Sequence, residues 1–180
     1  MKAILKFLLP VVIAIAAFPL FGNTNVFTFR ADSMSGGRAT GREITVLTGN
    51  AHVVSDTFML RADRIEIFGN DNRFIDGIGN VEGQENDVFF RTDRLRYDRD
   101  LNIARLEGNS TLEDRLNEVV ARARFIEYDD QNEIAIMQVS VRLFAEDLVG
   151  RAEFAIYNRI EQTLLLSGFP ESRSVCSMRL

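Results

Sequence analysis

Small residues recur along this chain at Ala31, Ala62, Thr92, Ala123 and Ala152, spaced 31, 30, 31 and 29 positions apart. At each one a short apolar alternation closes and another opens. A spacing of that length marks one supersecondary unit copied and stacked, which restricts the fold more than any single residue does. Aligned on the small residue, the copies form columns. Phe27, Phe58, Val88, Val119 and Leu148 stand four positions before it, and Phe29, Leu60, Phe90, Ala121 and Gly150 two before. Met34, Ile65, Leu95, Ile126 and Ala155 stand three after, and Gly36, Ile67, Tyr97, Tyr128 and Tyr157 five after. Spacing by two on either side is the strand period, since successive side chains leave opposite faces. The step across the small residue is odd, as from Ala62 to Ile65. That slip would turn the apolar set outward unless the strand bends there, so a corner is predicted at each small-acidic pair.

The second half of each unit carries its own marker. Apolar alternations flank Gly49-Asn50, Gly79-Asn80 and Gly108-Asn109; in the fourth copy Ile134 and Ile136 precede Gln138, and in the fifth Leu164 and Leu166 precede Gly168. Glycine inside a strand pattern reads as a bend, and asparagine tolerates unusual backbone angles. Turn residues separate the halves, for example Gly69-Asn70-Asp71-Asn72 and Asp98-Arg99-Asp100. Strands joined by such short turns pair antiparallel. The fold expected is all-β: an open-ended antiparallel jelly roll, folded like a taco, built from five repeats of about thirty residues over 26–169. Direction changes are expected near Ala62-Asp63, Gly79-Asn80, Thr92-Asp93 and Gly108-Asn109. The predicted interior comprises Phe58, Leu60, Ile65, Ile67, Ile75, Phe90, Leu95, Tyr97, Leu106, Ile126 and Ile136, with Arg61, Glu66, Arg91, Arg96 and Arg105 outside.

The chain divides into an N-terminal segment, 1–22, a β domain, 23–170, and a tail, 171–180. Lys2 and Lys6 lead an apolar run that contains Ala14-Ile15-Ala16, a small-x-small site suited to signal peptidase. An uncleaved membrane anchor is the competing reading; Pro10 and Pro19 count against an anchor helix. Either way the domain is placed beyond the inner membrane, in the periplasm. The single cysteine, Cys176, leaves no internal disulfide and falls in the tail.

Nothing in the sequence assembles an enzyme. His52 is the only histidine, and its parity in the strand points it to solvent, so a zinc site or a catalytic triad lacks partners. Asp32, Asp63, Asp93 and Glu153 recur at the corners, but Arg124 breaks the series, and a corner aspartate that accepts backbone N–H bonds accounts for them better than a calcium ladder. The net charge of −5 and the local alternation of acids and bases, without a basic aromatic block, exclude nucleic-acid binding. No cofactor is implied.

The stretch Leu60-Arg61-Ala62-Asp63-Arg64-Ile65-Glu66-Ile67, followed by Ile78-Gly79-Asn80-Val81, resembles the OstA-like domain of the lipopolysaccharide transport proteins. Phe29-Arg30-Ala31-Asp32-Ser33-Met34 with Leu47-Thr48-Gly49-Asn50-Ala51-His52-Val53 fits the same pattern. The resemblance implies a carrier of lipopolysaccharide or a related glycolipid, with acyl chains held by the interior residues named above. It implies partners in other OstA-like transport proteins at the inner and outer membranes, and end-to-end joining of copies. The edges predicted to join are the first strand, with Phe27 and Phe29, and the last, with Leu164 and Leu166. An inner-membrane-anchored member of the same system and a structural β-repeat protein with a dry core are the alternatives.

Overall fold

The computed structural model describes residues 27–39, 42–146, 148–168 and 175–178. The signal or anchor segment predicted at 1–22 lies outside the described residues. Eight long strands run as one antiparallel meander: β3 (Arg42–Val54), β4 (Phe58–Phe68), β5 (Phe74–Glu85), β6 (Val88–Asp98), β7 (Ile103–Asp114), β8 (Val119–Asp129), β9 (Ile134–Ala145) and β10 (Leu148–Asn158). A split strand borders each end. At one, β1 (Thr28–Arg30) and β2 (Ser33–Ala39) both pair with β3; at the other, β11 (Thr163–Ser167) and β12 (Val175–Met178) both pair with β10. Cys176 therefore belongs to a strand, with Gly150 as its register partner, and the sheet reclaims part of what the sequence pattern leaves as a tail at 171–180.

Each ladder between long strands shifts register once, near its middle. The shifts fall between Thr48 and Ala51, Arg61 and Arg64, Ile78 and Val81, Arg91 and Arg94, Glu107 and Ser110, Arg122 and Phe125, and Ala152 and Phe154. In β4 the buried residues are Phe58, Leu60 and Ala62, then Ile65 and Ile67, so the parity slips at the bulge and one apolar face survives on both sides of it. The line of bulges is a spine along which the sheet folds over. Tyr157 and Arg159 reach the carboxylate of Asp114 although β8 and β9 separate β7 from β10 within the sheet, so the two halves face one another. The turns between strands form the mouth opposite the spine. Among the described residues no closure pairs the first strand with the last, and the roll is open-ended.

The spine has a repeated polar seam. Asn50, Asn80 and Asn109 donate side-chain N–H bonds to Asp32, Asp63 and Asp93 at 3.1, 2.9 and 3.2 Å. Three corner aspartates thus accept an asparagine amide, and Asp93 and Glu153 also take a backbone N–H, from Asn109 at 3.1 Å and from Ser140 at 3.2 Å. Gly79 is left-handed at φ 75°, and a Cβ there would collide with the Asp63 carboxylate. Thr92 replaces alanine at its corner, and its buried hydroxyl is satisfied by the Glu107 carbonyl at 2.8 Å and Ser110 Oγ at 2.9 Å. In β9 the left-handed pair is Val139 (φ 66°) and Ser140 (φ 57°), not the position marked by Gln138 in the sequence pattern. The bend is preserved there without the glycine and asparagine that suit it.

A candidate functional site in the cleft between the layers

Near the spine the layers pack dry. Leu47, Ala51, Val53, Leu60 and Ile65 have no exposed surface, and Leu106 and Ile126 are 1% exposed. Of the predicted interior set, Phe58, Leu60, Ile65, Ile67, Ile75, Phe90, Leu95, Leu106 and Ile126 are buried, while Tyr97 is half-buried. Arg61, Arg91, Arg96 and Arg105 lie outside and are exposed, and Glu66 is half-buried. Ile136 is the exception. It pairs with outward Glu127, whereas Ala135 and Met137 pair with Tyr128 and Ile126 and are fully buried. Cross-strand partners share a face, so Ala135 and Met137 hold the interior and Ile136 sits on the outer parity. Because 134–137 is apolar at every position, alternation in the sequence could not choose between the two faces.

Toward the mouth the layers part at the N-terminal end. A cleft of about 550 Å³ opens there, within the ~300–1,000 Å³ usual for ligand sites. Its apolar wall is Phe27 and Phe29 of the first strand with Val53, Phe58, Ile67, Ile75 and Tyr97. Among the described residues the first strand has no further neighbour on this side. Met34 pairs with buried Leu47 and so faces inward, yet is 43% exposed. Phe58 and Tyr97 stack across the layers at 6.1 Å between centroids and form its inner end. Beyond that stack lies a void of about 20 Å³, touched by Phe90, Leu95 and Leu106. Of the predicted groove residues, then, Phe58, Ile67, Ile75 and Tyr97 line the cleft with Phe27 and Phe29, while Leu60, Ile65 and Ile126 are packing.

At the other end the mouth is shut. Asp114, fully buried, accepts from Asn117 Nδ2 at 2.7 Å, Tyr157 OH at 2.9 Å and Arg159 Nε at 3.0 Å. Gln162 Nε2 adds a bond to Asn117 Oδ1 at 2.9 Å. Burial opposes the charge of Asp114, but the bonds from Asn117 and Tyr157 and the Arg159 charge outweigh it and hold the pKa below the usual carboxylate range. Leu164 and Leu166 of β11 pair with interior Tyr157 and Ala155, and Leu166 fills the space a side chain at Gly150 would need. Sequence spacing carries no signal of this latch, because Asp114 and Tyr157 are 43 residues apart and no spacing rule joins them.

The rim and inner wall of the cleft are acidic: among the described residues Glu43, Asp71, Glu85, Asp100 and Asp130 line it, with the cation Arg99. Glu85 is pushed up from 4.5 to about 7 by burial and then by the charge of Asp130. Burial likewise raises Asp130, and it raises Tyr97 and Tyr128 with these carboxylates adding to the effect. All four groups are driven toward their neutral forms. His52 is half-buried, its pKa lowered by burial and by the charges of Arg61 and Arg30; it does not line the cleft.

Among the described residues no helix is long and apolar enough to cross a membrane. Comparison of folds returns the crystal structure of LptH, the LptA-homologous periplasmic component of the lipopolysaccharide transport device of Pseudomonas aeruginosa. It is 11% identical over 87% of this chain and 96% of that one, with a TM-score of 0.39, too loose a superposition to argue from. No curated protein matches. The sequence profile of OstA-like proteins matches residues 23–163, more than three quarters of the chain. The chain belongs to the OstA-like protein family.

Proposed function

We propose that this chain is a periplasmic carrier in lipopolysaccharide transport, holding glycolipid acyl chains in the N-terminal cleft and passing them along a bridge of OstA-like proteins toward the outer membrane. The observation that carries this reading is a cleft of about 550 Å³, with one apolar wall, beside a strand that is the edge of the sheet among the described residues, so that a partner's roll added there extends the same space. Each buried methylene contributes about 0.8 kcal/mol, so a chain of a dozen carbons is held by roughly 10 kcal/mol gross, before the cost of ordering it. Such a site binds and releases; its task is transfer rather than bond chemistry. Family membership supports the transport role, and residues 1–21 supply an export signal by composition.

In-cell photo-crosslinking tests the reading. A photoreactive residue at Ile67 or Tyr97 should label with glycolipid, while one at outward Arg61, or at Leu60 behind the packed core, should not. Equal labelling at all four positions would replace the cleft with nonspecific membrane contact. Edge assembly has its own check. Light scattering should show mass rising with concentration, and Leu165→Lys, at an outward edge position 58% exposed, should suppress it.

A further inference from the structure

The wall that ends the cleft belongs to a row of side chains that changes character along the roll. Followed by register from strand to strand across one layer, the row near the mouth begins with Gly36, Thr45, Ile67 and Ile75. It continues through Tyr97, Ala104, Tyr128, Ala135 and Tyr157, so that every second strand now carries a tyrosine. Cross-strand partners share a face, and this one looks between the layers. In the opposite layer Phe58, Glu85, Val88 and Asp114 stand in register with one another. Tyr97 stacks on Phe58 at 6.1 Å, Tyr128 bounds the inner void with Glu85 and Val88, and Tyr157 donates its hydroxyl to Asp114 at 2.9 Å. The layers are therefore open where the row is small or aliphatic and barred where it is aromatic.

Tyr97 is the first bar. Phe58, Tyr97, Glu85 and Asp130 line both the cleft and the void behind it, so they form the partition between the two. The Tyr97 hydroxyl donates to Asn102 Oδ1 at 3.3 Å, which tethers the ring to the turn before β7. We propose that Tyr97 is the end stop of the acyl site: it fixes how far a chain entering the N-terminal cleft can run, and so which chain lengths are held tightest. A methylene short of the ring leaves water on binding and one beyond it does not, so the affinity gained per carbon breaks at the length that touches the ring. This inference rests on the carrier reading and names the residue that sets its length specificity.

The experiment uses n-alkyl maltosides from octyl to hexadecyl, each below its critical micelle concentration, to displace the fluorophore N-phenylnaphthylamine from the full-length protein. In the wild type each added methylene should tighten binding about fourfold until the chain reaches Tyr97, and then cease to do so. Tyr97→Ile gives this position the side chain that Ile67 has in the same row. A chain two carbons beyond the wild-type break should bind this variant about fifteenfold tighter than wild type, while shorter chains keep their affinity within about twofold. Phe58→Leu thins the partition from the opposite layer and should move the break the same way; it carries the test if urea unfolding shows that Tyr97→Ile does not fold. A wild-type affinity that rises through the whole series, or a break that stays in place in either folded variant, overturns the inference and leaves the carrier reading intact. So does a change in affinity at every length, which would make Tyr97 a packing residue alone. If the fluorophore does not bind, or no maltoside displaces it from wild type, the carrier reading falls and takes this inference with it.

Discussion

Substituting Gly79 by alanine probes the spine, where the fold stores its direction change. At φ 75° an L-residue pays roughly 1–2 kcal/mol for the left-handed backbone. The new Cβ would collide with the Asp63 carboxylate, which must move and give up its bond from Asn80 at 2.9 Å, a loss of about 1 kcal/mol at this exposed site. Alanine returns about 0.4–1 kcal/mol by stiffening the unfolded chain. The net expectation is a loss of about 2 kcal/mol, or roughly 4–8 °C in Tm for a domain of this size. Urea unfolding should show a lower midpoint with an unchanged slope. The cycle with Asp63→Ala is more discriminating. Because the collision is with Asp63, the double variant should cost clearly less than the two singles combined, by about 0.5–1 kcal/mol. A Gly79→Ala protein within 0.5 kcal/mol of wild type, or a strictly additive cycle, would refute the argument. The converse holds in β9: Val139→Gly relieves a β-branched residue at φ 66° and should stabilise by about 1 kcal/mol in the same assay.

Glu85 should make stability fall as pH rises between 4.5 and 7, because its raised pKa lets the folded state hold a proton that the unfolded state has already released. Glu85→Gln should flatten that part of the profile in pH-dependent urea denaturation; an unchanged slope would assign the titration elsewhere. Asp114→Ala leaves Tyr157 and Arg159 without their buried acceptor and should cost about 3 kcal/mol. Hydrogen exchange should then rise first in the β7–β8 and β10–β11 turns; uniform exchange across the sheet would contradict a latch local to the mouth.

Local sequence was enough to locate the corners. The odd step from Ala62 to Ile65 and the Gly79-Asn80 pair mark register shifts that the structure contains, since a parity slip is a purely local consequence of side chains alternating along a strand. The same alternation separated buried Leu60 and Leu95 from exposed Arg61 and Arg96. It failed where the chain is apolar on both faces: Met137 rather than Ile136 points inward, and only pairing with Ile126 decides that. It failed too at Val139-Ser140, where the neighbouring strands impose a left-handed bend that the local residues do not encode. Which end of the roll would open was not readable from sequence at all. The copies are alike in pattern, so each predicts the same interior. Only the folded sheet shows that Phe27 and Phe29 line a cleft while Asp114, Tyr157 and Leu166 seal the other end. The difference arises from contacts between strands far apart in the chain, and the character of a site made that way is fixed by tertiary structure alone.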